Sequence, residues 1–183
     1  VSRLSATGRP LVLALGDSIT AAADWPTRLL GAEVVNAGVP GDQVRDVLAR
    51  LAGVVRALEP RVPDVVLVLV GTNDLGLGER PVDDVVADLA VLAARVRAEL
   101  PTSRLVLQSV MPRTRWFAER LGELNAGVAA VAAGAGAEYL DLWPALADAR
   151  GRLRRGFTRD GLHLTQRGEE AWLAVLAEAI TAR

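Results

Sequence analysis

The sequence predicts an α/β protein of three layers, with helices on both faces of a five-stranded parallel sheet. Three observations predict it. Short apolar segments alternate along the whole chain with longer segments of helical periodicity, which is the pattern of strands joined by crossover helices. One segment, VVLVLV at 65–70, is continuously apolar, as a strand covered on both faces must be. The apolar segments also run into turns rich in Gly, Asp and Asn, so strand ends are marked in the sequence itself.

The first strand is read at Leu11–Leu15, five apolar residues broken by Gly16-Asp17-Ser18. A short helix is expected over Trp25–Leu30, after Asp24 and with Pro26 in its first turn. The second strand is read at Val34–Asn36. Gln43–Leu58 then places Val44, Val47, Leu48, Leu51, Val54 and Val55 on one helical face and stops at Glu59-Pro60. Val65–Val70 is the third strand. The next helix runs over Val82–Leu100 between Pro81 and Pro101, with Val85, Leu89, Leu92 and Val96 inward. Leu105–Gln108 is the fourth strand, followed by an Ala-rich helix over Leu121–Ala133 that ends at Gly134. Glu138–Leu140 is the fifth strand. The last helix is expected from about Thr165 to Ile180, with Thr165 as N-cap and Gly168 standing where a full capping box needs an acid.

Composition narrows the chemistry. The 183 residues suffice for one domain, expected over 1–183, with a substantial core. A net charge of -1, with both signs interspersed, points to no nucleic-acid partner and no basic membrane surface. No apolar run approaches the ~20 residues of a membrane span. No apolar leader precedes Leu11, so the expected location is cytoplasmic, although a mature secreted form stripped of its leader fits the same residues. The chain has no Cys, and all 21 of its basic residues are Arg. Thiol nucleophiles, Schiff-base lysines and a P-loop lysine are therefore excluded. With the single His163, a His- or Cys-built zinc site lacks ligands, and no metal or organic cofactor is expected. His163 is the natural base for nucleophilic chemistry near neutral pH.

The ends of parallel strands share one edge of the sheet, so the turns that follow them can meet. After strand one comes Gly16-Asp17-Ser18; after strand two, Asn36-Ala37-Gly38-Val39-Pro40-Gly41-Asp42; after strand three, Gly71-Thr72-Asn73-Asp74. A fourth segment, Asp160-Gly161-Leu162-His163, directly precedes the last helix. Together they supply a complete set for acyl transfer. Ser18 offers a hydroxyl, His163 a base, and Asp160 a carboxylate to orient the imidazole. Gly41 lets the backbone present its N–H, and the Asn73 amide donates; with the Ser18 N–H these can form an oxyanion hole. Taken singly, each feature also reads as an ordinary turn or cap.

In order and approximate spacing, GDSIT, NAGVPGD, GTND and DGLH resemble the four blocks of the GDSL-type, or SGNH, hydrolases, and the resemblance covers the chain nearly end to end. It implies a flavodoxin-like α/β/α sandwich and a serine esterase or lipase. In it Ser18 is the nucleophile, Asp160 and His163 complete the triad, and Ser18, Gly41 and Asn73 form the oxyanion hole. Two departures are visible: Ile19 stands where the family name has Leu, and Leu164 where many members have Pro. Neither touches a catalytic atom. No GxSxG elbow surrounds Ser18, which speaks against an α/β-hydrolase.

The expected reaction is hydrolysis of short-chain carboxylic esters, on a small-molecule substrate. Carbohydrate O-acetyl esterase, thioesterase and lysophospholipase are alternatives inside the family; a non-catalytic binding module on the same fold is the alternative outside it. Asp17 and Asp74 are expected to brace turns. Asn125 resembles a helix Asn common in the family. Trp25, Met111, Trp116 and Phe117 are candidates for an acyl pocket, with core or rim packing as the other reading. Arg152, Arg154 and Arg155 form a basic cluster that is either a solvated loop or a contact for an anionic substrate. The sequence does not set the oligomeric state.

Overall fold

The computed structural model describes residues 8–25, 29 and 31–181. Five strands form one parallel sheet: β1 (Leu11–Gly16), β2 (Glu33–Gly38), β3 (Val65–Leu69), β4 (Arg104–Gln108) and β5 (Glu138–Leu140), in the order β2-β1-β3-β4-β5. The helices are α1 (Ser18–Ala22), α2 (Val44–Leu58), α3 (Thr72–Gly76), α4 (Val82–Glu99), α5 (Ala118–Gly134), α6 (Trp143–Leu146) and α7 (Gln166–Thr181). All five strands lie where the sequence places them, within a few residues. The helix expected over Trp25–Leu30 falls largely on 26–28 and 30, outside the described residues.

Alternation along each strand divides the core between two faces. Leu13 and Leu15 of β1, Val66 and Val68 of β3, and Leu105 and Leu107 of β4 pack with Val47 and Leu51 of α2, Leu89 and Leu92 of α4, and Leu121 and Leu124 of α5. Val12 and Ala14, Val65 and Leu67, and Val106 point the other way, against Ile19 of α1, Leu146 of α6, and Trp172, Leu173 and Leu176 of α7. This is the three-layer arrangement. β1 and β3 are buried along their whole length, whereas β2, at the edge, is half-buried, which is why its apolar run is the shortest of the first three.

Local chemistry fixes the ends of elements. The Gln43 N–H donates to Asp46 Oδ2 at 2.9 Å, reaching back over the first turn of α2. At α7 the Gly168 N–H lies 3.4 Å from Thr165 Oγ1, which itself donates to the Gly156 carbonyl at 2.6 Å. Thr165 thus caps the helix and ties it to the preceding loop. The Ala-rich helix starts earlier than its periodicity indicates: α5 begins at Ala118, after a 3₁₀ turn over Arg115–Phe117.

The order of strands positions the site. The order in which strands are added reverses between β1 and β3, so the loops leaving those two parallel strands diverge and open a crevice at their carboxyl ends. Gly16, the last residue of β1, sits beside Gly38 of β2 and Leu69 of β3. A side chain at Gly16 is impossible without rearrangement, because its Cβ would lie 2.5 Å from the Leu69 carbonyl oxygen and would overlap Thr20 Oγ1.

Candidate active site

Ser18 opens α1, a helix too short for its sequence to announce by periodicity. Asp17, just before it, caps the helix by accepting the Ile19 N–H at 2.9 Å. Ser18 therefore sits on a sharp strand-to-helix turn at the crevice. Its Oγ lies 3.0 Å from His163 Nε2, across 145 positions of sequence. On the far side of the ring, His163 Nδ1 lies 2.7 Å from Asp160 Oδ2.

The loop that carries Asp160 and His163 is built around the other carboxylate oxygen. Asp160 Oδ1 accepts the N–H groups of Leu162 at 2.9 Å and His163 at 2.8 Å. It also accepts the Thr158 hydroxyl at 3.2 Å, and Thr158 Oγ1 in turn accepts the Gly161 N–H at 2.9 Å. Gly161 adopts φ +81°, a left-handed conformation in which its absent side chain would meet Thr114 Cγ2 at 2.6 Å. The hydrogen bond from the His163 ring, followed by these backbone donors, holds the Asp160 carboxyl well below the ordinary carboxylate range.

An ionised Asp160 can only accept, so Nδ1 carries the ring proton of neutral His163. Nε2 is then a bare acceptor facing the Ser18 hydroxyl. The arrangement can move a proton from serine to imidazole.

Hydrogen bonds knit the turns after β1, β2 and β3 together. The Val39 N–H donates to the Gly16 carbonyl at 3.0 Å. Arg50, on α2, donates to the same carbonyl at 3.1 Å and to Asp42 Oδ2 at 2.6 Å. Asn73 Nδ2 donates to the Asp42 carbonyl at 3.0 Å, which fixes the amide beside the Gly41-Asp42 turn and leaves its second N–H uncommitted to that bond. Gly41 has φ +87° and open space where a Cβ would stand; it is the left-handed backbone, not crowding, that favours glycine there. Asp74 is wholly buried, accepting the Val44 N–H at 3.0 Å and Arg80 at 2.7 Å. Asp17 is also buried, and that burial pushes its carboxyl up to about 6, against the opposing effects of the Ile19 N–H and nearby His163.

The candidate aromatic and apolar residues do not gather at this crevice. Trp25 and Met111 belong to the core: each is 2% exposed. Trp25 packs edge-on against Trp172 and donates to the Thr20 carbonyl. Phe117 is half-buried beneath the Arg113 guanidinium, 3.9 Å from its ring centre. Trp116 is 76% exposed, with Arg115 over its ring. Asn125 is a brace at the end of β4, donating to the Val110 carbonyl at 3.0 Å and accepting its N–H at 2.7 Å. Arg154 is spent on the Ala147 and Pro144 carbonyls, and Arg152 pairs with Asp148. Arg50 and Thr158, which tie the turns and the acid together, carried no sequence signal; Thr158 could have been found only from its place two residues before Asp160.

A small niche of about 60 Å³ lies beside His163, lined by that ring, by Ile19, Ala22, Ala23, Leu164 and Trp172, and by the acidic Glu169. Among the described residues no helix is long and apolar enough to cross a membrane.

The family model of GDSL-like Lipase/Acylhydrolase matches residues 14–171. No curated protein matches the chain. Among solved structures, it is similar to a Streptococcus pneumonia protein provisionally named a platelet activating factor, with 26% identity, TM-score 0.83, and 94% of this chain and 84% of that one covered. A GDSL-like lipase from Bacteroides thetaiotaomicron matches with 23% identity and TM-score 0.77, over 98% and 91% of the two chains. An acetyl-xylooligosaccharide esterase from Geobacillus Stearmophilus matches with 19% identity and TM-score 0.78, over 95% of each. A five-stranded parallel sandwich and a family match over most of the chain agree with the four motifs, and the chain belongs to the GDSL-like lipase/acylhydrolase family of carboxylic ester hydrolases.

Proposed function

We propose that the protein is a serine esterase of short-chain carboxylic esters, with Ser18, His163 and Asp160 as its triad. The observation that carries the reading is the unbroken line from Ser18 Oγ to His163 Nε2 at 3.0 Å and from Nδ1 to Asp160 Oδ2 at 2.7 Å. Ser18 attacks the ester carbonyl while His163 takes its proton. The oxyanion that forms is held by the backbone N–H groups of Ser18 and Gly41 and by the free N–H of Asn73. The imidazolium, steadied by ionised Asp160, then protonates the departing alcohol. Water, deprotonated by His163, releases the acid from Ser18.

The short-chain preference follows from the niche beside His163. Its volume of about 60 Å³ is roughly twice the ~30 Å³ share of one liquid water, room for an acetyl or propionyl tail. A longer chain lies over the rim, and each methylene left in water forgoes about 0.8 kcal/mol of burial. The same dimension favours a second reading, an O-acetyl ester of a carbohydrate, the chemistry named for the similar Geobacillus esterase.

The test is kcat/KM across p-nitrophenyl esters from acetate to palmitate, below micelle-forming concentrations. The reading predicts a maximum between acetate and hexanoate. A maximum at ten carbons or more contradicts it and makes the protein a long-chain lipase or lysophospholipase.

A further inference from the structure

On one side of the loop that carries Asp160 and His163 lies a cavity of about 440 Å³. It is lined by Arg113 and Arg115 from the turn after β4, Arg152 and Arg155 from the next loop, and Thr158 and Gly161 of the triad loop itself. The backbone brings these arginines together. Arg113 and Arg152 form a parallel bridge, and the Leu153 N–H donates to the Arg113 carbonyl at 3.4 Å. Thr114 packs against Gly161, so one wall of the cavity is the loop that sets His163 against Ser18. The Arg113 guanidinium is close enough to feel the charges of both Asp160 and Asp17.

Of the four arginines of the lining, only Arg152 pairs with a carboxylate of the lining. Asp148 is the only acid in the lining, and it is committed to Arg152 through contacts of 3.0 and 2.8 Å. Arg113 donates to the Thr72 carbonyl and lies on Phe117, while its Nε is buried without an acceptor. Arg115 lies over Trp116 at 4.2 Å. Among the described residues no carboxylate forms an ion pair with Arg113, Arg115 or Arg155. A neutral ester gains nothing from three cations lining one cavity. An anion with several acceptor oxygens matches the guanidinium fork.

We propose that the ester substrates of this enzyme carry a negative group, a carboxylate, phosphate or sulfate, and that Arg113, Arg115 and Arg155 hold it beside the reacting serine. The proposal rests on the reading of Ser18 as the nucleophile. The anion enters on the acyl chain or on the leaving alcohol, and two pairs of matched substrates distinguish these. Mono-p-nitrophenyl adipate against p-nitrophenyl hexanoate places the charge on the acid. 4-Sulfophenyl acetate against 4-(methylsulfonyl)phenyl acetate places it on the alcohol.

The expected result is a preference for the charged member of one pair of about tenfold or more in kcat/KM at low salt, the scale of a hydrogen bond to a charged group. The preference shrinks as salt is added. It falls toward unity in the Arg115→Gln/Arg155→Gln variant and is largely kept by Arg155→Lys. No preference in either pair, or a preference that survives the double substitution, overturns the proposal. Ser18→Ala, run on the neutral esters and checked for folding by circular dichroism, tests the nucleophile separately. If its turnover persists, the reading of Ser18 fails while the ratios still report on the arginines.

Discussion

Ser18 and His163 stand at opposite ends of the chain and meet at 3.0 Å, so each is useful only with the other in place. Ser18→Ala and His163→Ala are each expected to lower kcat by about 10⁴–10⁶, and the double variant by little more, because triad members act as one unit. Losses that multiply in the double variant contradict a shared machine. In the proposed mechanism Asn73 acts once charge has developed on the carbonyl oxygen, so Asn73→Ala should lower kcat by about 10²–10³ with KM nearly unchanged. It also strips the Asp42 carbonyl of its donor, and a fall in stability of about 1–3 kcal/mol, read by urea unfolding, should accompany it. A tenfold rise in KM with kcat preserved assigns Asn73 to ground-state binding instead. The polar residues of the site were legible because hydroxyl, imidazole, carboxylate and amide chemistry is written in short local motifs. Trp25 and Met111 were not: an aromatic or a thioether suits a pocket and a core equally, and only packing against Trp172 and the sheet decides.

The strands and the long helices could be read from periodicity and breakers, since each spans enough residues to show its period. The helices α1, α3 and α6, of four or five residues, could not, because a single turn shows no period. Two of these, α1 and α3, contain Ser18 and Asn73, so the motifs marked the residues while their local conformation stayed hidden. Packing between elements is carried by polar braces as well as by the core. Asn125 of α5 satisfies both the N–H and the carbonyl of Val110, where β4 ends. Asn125→Ala leaves the Val110 N–H unpaired, while the carbonyl keeps the Trp143 indole N–H at 2.9 Å, and should cost about 1–3 kcal/mol, measured as a lower denaturant midpoint at unchanged m-value. A loss under 0.5 kcal/mol contradicts the assignment of Asn125 as a brace.

Across the whole molecule, Asp17 links the site to stability. Its carboxyl is raised from 3.8 to about 6 by burial, so the folded protein holds this proton more tightly than the unfolded chain does. Between about pH 4 and pH 6 the folded state binds more protons, stability falls as pH rises, and the full cost is present above about 6. Asn at this position keeps an oxygen to cap Ile19 without the charge. Asp17→Asn should therefore stabilise the protein more at pH 7.5 than at pH 4, by a difference of about 3 kcal/mol, the worth of the shift. Equal effects at the two pH values contradict a desolvated carboxylate. Asp160 works in the opposite sense: its lowered carboxyl stabilises the fold above the ordinary carboxylate range, and that contribution is lost as the pH falls through it. The sequence identified both acids; it could not show that one is buried and the other exposed, since burial belongs to the assembled sheet.

A nucleophilic Ser18 activated by His163 should react with a fluorophosphonate probe. One label per folded molecule is expected, mapped by peptide mass spectrometry to the peptide containing Ser18, absent in Ser18→Ala and strongly slowed in His163→Ala. Folded, ester-hydrolysing protein that takes no label, or takes it at another residue, rules out Ser18 as the nucleophile.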